Sequence, residues 1–532
     1  MRYTHTYRFW LVLTITVLSL ETFSQNRLYL PFQRQINLPI QNNMDTLGSM
    51  FHPDIFPYQT QDVDSAEWFQ QVYQADFYTD KFLLDVKLNK NSVKFPVKLS
   101  LTPVGEALVG FESGRDAKTF AQTGIGLNFS GMVGKVLDVN INFMGSNSSF
   151  PSYVENYVFR NKVVPGQGWG YRSDLGYYYN NSNGYISYSP IKYFNFTLGR
   201  GKNKFGEGYR SLLLSDASTN YNYFRITTNI WRFKYVNLFA KMDDVYEVPG
   251  APDNSNDKYS SSHYLSINIA RRWSVGLFES IQWVGQDSVV DRGFDPNYLN
   301  PIIFLRPVEF SMGSGDNALM GLNVSFKASN QVKLYSQLVL DEFKLSEIRD
   351  NTGWWANKYG VQLGVKYYDA FNIDRLTLQG EFNYVRPYTY SHNLSSQAYG
   401  HMNQPLAHAA GANFNEGVFL ANYYINKFYI ELKTTVLMQG IDSGSDTVSY
   451  GANIFKPYDQ RPYDYGVEVG QGVSRLLTTF DLKASYLLSA KANIRAEINL
   501  STYNETIDGV SRSIFWPRIG IRTGIFNEDW DF

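Results

Sequence analysis

Arginine residues beside glycine, proline or aromatic residues recur in three separated stretches of this 532-residue chain. The first stretch holds Arg200 and Arg210, the second holds Arg306 and Glu309, and the third spans residues 386–392. Arginine pairs with carboxylates such as those of acidic sugars, and an aromatic ring offers an apolar face on which a pyranose can stack. We therefore predict that the stretches converge on one polar surface whose chemistry suits sugars, with Arg200, Arg210, Arg386, Tyr388, Tyr390 and His392 as its binding residues.

A bracing network is the competing interpretation of the same charges. Arg306 and Glu309 are close enough in sequence to pair with each other, and for these two residues we expect a structural pair rather than a binding role. The glycine-rich block 199–210 contains no Gly-Lys-Ser/Thr and signals no helix, so it is not a phosphate loop. Glycines that permit two backbones to approach closely would also explain this block.

Three of the six histidines, His392, His401 and His408, lie close together in the sequence. Their separations of nine and seven residues fit no compact metal-ligand motif, so we expect hydrogen-bonded residues of one long ordered loop. An enzyme could recruit His263, Ser391 and His392, but the chain lacks a Gly-x-Ser-x-Gly motif. We predict no catalytic residues, no bound metal and no cofactor.

The amino-acid composition indicates the class of protein that carries these residues. Charged residues make up 18% of the chain, below the roughly 25% of soluble proteins, whereas aromatic residues reach 16%. A mean hydropathy of -0.31 argues against a helical membrane protein. A transmembrane β-barrel combines a polar average with many aromatic residues, because half of its strand residues face water and aromatic girdles mark both interfaces. The net charge of -1 gives no basic surface for nucleic acid.

The amino terminus predicts export. Arg2 and Arg8 precede an apolar run over residues 9–20, and small residues follow it, as in a secretory signal peptide. We predict a signal peptide over residues 1–24 with cleavage after Ser24, although a single uncleaved anchor is the alternative. Because the chain contains no cysteine, it can carry neither a lipid-modified cysteine nor a disulfide.

Residues 25–78 are interrupted by four prolines, at positions 31, 39, 53 and 57. Within them, residues 65–75 could form a short helix that begins after Asp64 or Ser65. We predict an irregular or helical segment that lies in the periplasm or plugs a barrel.

From residue 79 to residue 532 apolar and polar residues alternate in many short runs, a periodicity of two that is typical of strands with one apolar face. We predict an all-β fold, a single outer-membrane barrel of about 18 antiparallel strands. An array of soluble β-sandwiches would explain the alternation but not the weight of tyrosine and phenylalanine. We expect lipid to contact Leu376, Leu378, Ile494, Ile498, Ile519 and Ile521, and the lumen to hold Glu381, Arg495, Glu497 and Arg522.

Three local predictions concern strand positions. An early strand is expected over residues 84–89. Asn183-Gly184, between two tyrosine-rich runs, is the strongest hairpin signal of the sequence. The alternating segment 518–526, with Phe532 at the end of the chain, predicts a closing barrel strand.

Three ordered blocks resemble the capsule assembly Wzi family in its Bacteroidetes-type form. They are Gly199–Asn203 with Gly206–Asp216, then Asn300-Pro301 with Leu305–Ser311 and Asp316-Asn317, and finally Arg386–His392 with Tyr399–His401, Pro405–His408 and Gly411–Phe414. The same blocks are similar to outer-membrane proteins linked to gliding motility, the RemB group, which overlaps this family.

The resemblance implies a non-catalytic barrel in the cell outer membrane that binds or retains capsular polysaccharide and aids capsule assembly. Its expected partners are surface polysaccharide, outer-membrane lipid and, during biogenesis, the barrel-assembly machinery. A role in gliding motility or surface adhesion is the first alternative. A porin-like channel is the second, and it is disfavoured because loops such as 391–416 look long enough to close the mouth.

Overall fold

The computed structural model describes residues 28–63, 97–114, 117–134, 136–246, 255–285, 293–304, 315–442, 444, 447–490 and 492–532. The predicted signal peptide, the helix expected over 65–75 and the strand expected over 84–89 lie outside the described residues. The predicted pair of Arg306 and Glu309 also lies outside them.

Within the described residues, eighteen long antiparallel strands form one closed barrel, as the sequence predicts. They are β1 Val97–Glu112, β2 Lys118–Val133, β3 Leu137–Ser148, β4 Gly176–Ile191, β5 Phe194–Gly201, β6 Tyr221–Ile230, β7 Phe233–Asp244, β8 Asn256–Ile267, β9 Trp273–Val284, β10 Asn317–Lys327, β11 Val332–Leu340, β12 Tyr359–Tyr367, β13 Leu376–Val385, β14 Phe414–Ile425, β15 Phe428–Ile441, β16 Val473–Ser489, β17 Ile494–Ile507 and β18 Val510–Thr523. Each strand pairs with its sequence neighbours, and β18 pairs with β1, so the wall has no open edge.

Among the described residues the α-helices are few and short. They are α1 Arg34–Met44, α2 Thr60–Val63, α3 Ser152–Asn161 and α4 Leu345–Arg349. In the part of the chain that the structure describes, no helix is long and apolar enough to cross a bilayer.

The alternation of side chains produces an apolar outside and a polar inside. On β5, Leu198 is 63% exposed whereas Asn195 and Thr197 are fully enclosed. The predicted faces are confirmed throughout: Leu376, Leu378, Ile494, Ile498, Ile519 and Ile521 lie on the outer surface, and Glu381, Arg495, Glu497 and Arg522 are buried inside. A closed barrel with an apolar outer band is the architecture of outer-membrane proteins, since lipid can satisfy no unpaired backbone group.

The hairpin expected at Asn183-Gly184 is wrong, because β4 passes through both residues without a turn. Asn183 pairs with Asn142, and Gly184 pairs with Ile141 on one side and Arg200 on the other. A Cβ atom at Gly184 would lie 2.8 Å from the carbonyl oxygen of Asn140. The glycine therefore permits close strand approach rather than reversing the chain.

The closing strand is present, but it ends earlier than expected. Arg522 pairs with Glu106 of β1, and β18 ends at Thr523. Residues 524–532 then turn inward, and Trp530 packs against Trp516 with ring centroids 5.4 Å apart. The terminal aromatic residues therefore belong to the interior and not to the wall.

The two ends of the barrel differ in the length of their connections. Turns such as 192–193, 231–232 and 426–427 join strands at one end, the short-turn end. Loops such as 202–220 and 442–472 join them at the other, the loop end. Short turns face the periplasm and long loops face the exterior in outer-membrane barrels, so both the start of β1 and the end of β18 lie on the periplasmic side.

Residues 28–63 occupy the lumen. The Tyr29 hydroxyl lies 3.1 Å from Asn195 Oδ1 on β5. Asp45, just after α1, forms ion pairs of 2.6 Å with Lys327 and 2.5 Å with Lys333. Together with loop 202–220, loop 386–413 and the tail 524–532, this segment fills the interior with packed side chains.

Candidate functional site

The loop 202–220 turns into the lumen at its glycines. A Cβ atom at Gly208 would lie 2.4 Å from Glu381 Oε2 on the barrel wall. That carboxylate accepts hydrogen bonds from the backbone N–H groups of Tyr209 and Arg210, at 2.8 Å and 3.1 Å. The glycine block therefore lets the loop backbone approach the wall closely, which is the explanation by close backbone approach given above for residues 199–210.

Arg210 is buried, and its guanidinium group forms ion pairs with two carboxylates. Its Nη2 donates to Glu416 Oε1 at 2.7 Å, and its Nη1 lies 3.2 Å from Asp531 Oδ1 in the tail. Burial raises the pKa of the Asp531 carboxyl, but Arg210 and Lys433 outweigh this effect and hold the pKa below its usual value. The residue is only 8% exposed, so Arg210 braces the lumen, and its contact with polysaccharide stays a prediction.

The same ion pairs continue to the amino-terminal segment. Lys433 of β15 lies 3.1 Å from Asp531 and 3.0 Å from Asp529. Asp529 in turn pairs with Arg34 of α1 at 2.6 Å. We call Arg34, Arg210, Glu416, Lys433, Asp529 and Asp531 the central ion network. It joins α1, an inward loop, the tail and two strands.

Arg386 joins three long loops through hydrogen bonds. Its guanidinium and Nε groups donate to three backbone carbonyl oxygens, those of Asn357 at 2.8 Å, Trp354 at 3.2 Å and Val467 at 3.3 Å. One side chain thereby holds loops 341–358 and 442–472 against loop 386–413. Its role is to position the loop end of the barrel.

Tyr388 and Tyr390 are completely enclosed. The Tyr388 hydroxyl donates to the Ser449 carbonyl at 2.9 Å. The Tyr390 hydroxyl donates to the Leu212 carbonyl at 2.8 Å. Their rings and hydroxyls are used inside the protein, and polysaccharide binding by these two tyrosines stays a prediction.

Arg200 points away from the others. It shares the outward face of β5 with Leu198, is exposed, and lies 3.4 Å from Asn222 Oδ1. The single surface expected from the arginine-containing stretches is therefore not formed, because Arg200 faces outward and Arg210 lies in the lumen.

Beside Arg386, an aromatic cluster is displayed at the loop end. We call it the loop-face patch and define it as Trp354, Trp355, His392, Tyr458 and Arg461. Tyr458 and Trp355 lie 4.8 Å apart between ring centroids, and Arg461 stacks 4.0 Å from the Trp355 ring. The His392 ring lies 5.8 Å from Tyr458. Three loops distant in sequence thus form one half-buried aromatic surface.

The loop-face patch carries little net charge. Arg461 is paired with Asp464 at 2.6 Å. Burial, with Lys358 nearby, lowers the pKa of His392 to about 4, so this histidine is neutral at physiological pH. The adjoining stretch adds two exposed rings, Tyr463 and Tyr465, which are 43% and 57% exposed. The surface therefore offers aromatic faces rather than a strong electrostatic field.

Of the six residues proposed from the sequence, the structure brings Arg386, Tyr388 and His392 to this patch. His392 lies in it, while Tyr388 supports it with its ring 6.1 Å from Trp355. Sequence reasoning missed Trp354, Trp355, Tyr458 and Arg461. Two adjacent tryptophans in a polar loop, Trp354-Trp355, were the available signal.

The three clustered histidines belong to the one loop 386–413, and each is hydrogen-bonded there, as the sequence predicts. His401 accepts from the Asp243 N–H at 3.0 Å, and His408 lies 2.6 Å from Glu416. Among the described residues, no three His, Cys, Asp or Glu side chains could hold a metal ion. Ser391, considered for an enzymatic site, donates its hydroxyl to the Tyr388 carbonyl at 2.6 Å.

The fold is similar to that of Wzi, an outer membrane protein involved in group 1 capsule assembly in Escherichia coli, which is a carbohydrate-binding β-barrel. The TM-score is 0.56 at 12% identity, and the alignment covers 94% of this chain and 99% of Wzi. OprD from Pseudomonas aeruginosa matches at a TM-score of 0.41 and 10% identity, over 81% of this chain and 96% of OprD. OccK1 (OpdK) from the same organism matches at 0.43 and 10%, over 80% and 97%.

No family model matches the chain, and no curated protein matches it. The similarity to Wzi shows a shared fold. Membership of the Wzi family, inferred from the three sequence blocks, remains a prediction.

Proposed function

We propose that this protein is a non-catalytic outer-membrane barrel of the Wzi type that retains surface polysaccharide and aids capsule assembly. The observation that carries the proposal is the loop-face patch, an aromatic surface displayed at the end of a barrel whose interior is filled. In this proposal residues 1–24 direct export, and the barrel-assembly machinery inserts the chain into the outer membrane.

The chemistry of the loop-face patch favours sugar over other large ligands. A pyranose ring has an apolar face that packs on tryptophan or tyrosine, and its hydroxyls use polar groups at the rim. Trp354 lies at the edge of the cluster: in the described part of the chain its ring contacts one other ring, that of Trp355 at 6.4 Å, and one cation, Lys344 at 5.4 Å. It is therefore the ring best placed to receive a sugar.

The similarity to Wzi supports the proposal independently, because that barrel is named as carbohydrate-binding. The two lines of support differ in kind. The patch is a property of this chain's own loops, whereas the similarity concerns the architecture that displays them.

Replacing Trp354 by alanine should weaken binding of the capsular polysaccharide extracted from the cells that make this protein by about tenfold, or about 1.4 kcal/mol. A stacking ring is lost, while the backbone carbonyl that Arg386 uses is retained. Surface-immobilised barrel and a polysaccharide titration would measure the change. Trp231→Ala is the matched control, since Trp231 is 69% exposed but lies at the short-turn end.

Both variants should keep the heat-modifiable gel migration of a folded barrel. Equal affinities of Trp354→Ala and wild type would remove the loop-face patch from the proposal. In cells, a deletion strain should release its capsule and still spread normally. Loss of spreading with a retained capsule would favour the alternative role in gliding motility.

A porin-like channel is the other alternative, and it predicts a different electrical behaviour. The wild-type barrel in a planar bilayer is expected to give no stable conductance steps, because loop 202–220, loop 386–413 and residues 28–63 cross the lumen. An open porin reconstituted in the same bilayer is the positive control. Regular steps of porin size from the wild-type protein would contradict the occluded lumen and favour a diffusive channel.

A further inference from the structure

A cavity of about 200 Å³ lies at the short-turn end of the lumen. Residues 28–32 of the amino-terminal segment form one side of it, and the inner faces of β1–β4 form the other. Asn493 of turn 490–493 also lines it, which places it near the periplasmic end. We call it the short-turn cavity. It is remote from the loop-face patch and independent of the function proposed above.

Two cross-strand rows of uncharged polar side chains form the strand side of the cavity. Paired positions on successive strands give the first row, Thr102, Asn128, Asn142 and Asn183. The neighbouring row is Ser100, Ser130, Asn140 and Tyr185. Adjacent strands are about 4.8 Å apart, so each row presents amide and hydroxyl groups at a regular spacing.

Asn142, at the centre of the first row, has an unused amide. It is 3% exposed, and among the described residues neither its Oδ1 nor its Nδ2 has a hydrogen-bond partner. Nearby, Asn128 Nδ2 donates to Asn140 Oδ1 at 3.2 Å. A buried amide without hydrogen-bond partners destabilises the folded protein. Asn142 therefore points to a polar ligand that supplies both an acceptor and a donor.

The cavity differs in charge from the rest of the lumen. Ion pairs fill the lumen elsewhere, as in the central ion network, whereas both rows lack ionisable groups apart from the Tyr185 phenol. Two cations border the cavity, Arg200 and Lys202. The Arg200 side chain lies on the outward face of β5, and the Lys202 Nζ donates to the Asp216 carbonyl at 2.9 Å and lies 5.0 Å from the Phe526 ring. A charged ligand would find no counter-charge among the two rows.

The opposite side of the cavity is apolar. Leu30, Phe32 and Phe526 are 3%, 5% and 7% exposed and all line it. A ligand that fits both sides needs an apolar face and a hydroxylated edge. Asparagine suits such an edge because each amide both donates and accepts, as each hydroxyl does.

We propose that the short-turn cavity binds one neutral pyranose unit from the periplasmic side. The apolar ring face would pack on Phe32 and Phe526, and vicinal hydroxyls would pair with Asn128, Asn140 and Asn142. The size agrees, because a cavity of about 150 Å³ already admits a six-membered ring such as benzene. The uncharged polar rows favour a neutral sugar over a charged one.

The test uses the full-length barrel purified in a zwitterionic detergent, because maltoside or glucoside head groups would compete. Glucose, galactose and N-acetylglucosamine are titrated, with glucuronic acid as the charged comparator, and binding is followed by saturation-transfer NMR and calorimetry. At least one neutral sugar should bind saturably at millimolar concentration. Because salt screens only interactions between charges, the affinity of a neutral sugar for this site should change less than twofold between 50 and 500 mM NaCl.

Asn142→Leu keeps the branching at Cγ and removes both hydrogen-bonding atoms of the amide, so it should weaken binding of that sugar at least tenfold. Asn323→Leu is the matched control, because Asn323 is a lumen-facing asparagine of β10 that is 1% exposed and does not line the cavity. Ser130→Trp fills the cavity and should abolish binding while the barrel keeps its heat-modifiable migration. If Asn142→Leu fails to fold, Ser130→Trp still tests whether the sugar binds in the short-turn cavity.

Two outcomes would overturn the proposal. The cavity holds water alone if none of the neutral sugars binds saturably, and the sugar sits elsewhere if Ser130→Trp binds it as wild type does. Trp354→Ala separates this site from the loop-face patch, because it should lose polysaccharide affinity and keep affinity for the single sugar. The converse pattern is expected for Ser130→Trp.

Discussion

Replacing Glu416 by glutamine is expected to destabilise the barrel by about 3–5 kcal/mol, the effect of removing one charged partner from a buried ion pair. Glu416 accepts from Arg210 Nη2 at 2.7 Å, from Asn383 Nδ2 at 3.0 Å and pairs with His408 at 2.6 Å. The amide of glutamine would retain one acceptor but would place a donor against the guanidinium. Urea unfolding in lipid vesicles, followed by heat-modifiable migration, measures the loss.

Two further variants identify the cause of that loss. Arg210→Met combined with Glu416→Leu should recover part of it, because Asp531 keeps Lys433 at 3.1 Å and no buried charge is stranded. The exposed pair of Lys344 and Glu347 at 2.7 Å is the control, and Lys344→Met should leave the unfolding midpoint unchanged. If Glu416→Gln shifted the midpoint no more than Lys344→Met does, the central ion network would not be a brace.

The strands and the direction in which their side chains point could be predicted from the sequence. Along β17 the residue type indicates which side of the barrel wall a side chain faces. Successive side chains of a strand point to opposite faces, and here apolar Ile494 and Ala496 alternate with charged Arg495 and Glu497. Local periodicity was therefore enough to predict the strands, their faces and the closed barrel.

Asn183-Gly184 marks the limit of local signals. The dipeptide favours a two-residue turn in isolation, but β4 pairs with β3 from Tyr177 to Tyr188 without interruption, and from Gly184 to Tyr188 it also pairs with β5. Pairing on both edges outweighs the turn propensity. The choice between the two depends on strands far away in the sequence, which a single window does not contain.

The site depends even more on distant contacts. Arg210 and Arg386 look alike in sequence, since each lies beside glycine, proline or tyrosine residues. One is buried because Glu416 and Asp531 meet it in the lumen, and the other latches loops through backbone carbonyls of residues 354, 357 and 467. Residue type indicated where recognition chemistry is concentrated, but only the packing of three loops assembles Trp354, Trp355 and Tyr458.

The outer surface gives a prediction of comparable size to that for Glu416. Ile498 on β17 pairs with Ala484 of β16 and Ile519 of β18, and Ile519 pairs with Val109 of β1. These four outward side chains form a continuous apolar row, in which Ile498, Ile519 and Val109 are 44%, 57% and 55% exposed. Such a row requires lipid rather than water around it.

Ile498→Arg should therefore destabilise the barrel in vesicles by about 2–4 kcal/mol, as expected for arginine at the bilayer midplane. Val510→Arg is the matched control: Val510 is 75% exposed but starts β18 at the loop end, where water solvates the guanidinium. Single cysteines give a second test, because the wild-type chain has none. A cysteine at position 498 should resist water-soluble maleimide in vesicles and one at position 510 should react. Equal reactivity of the two, together with equal unfolding midpoints for the arginine variants, would contradict a lipid-facing row.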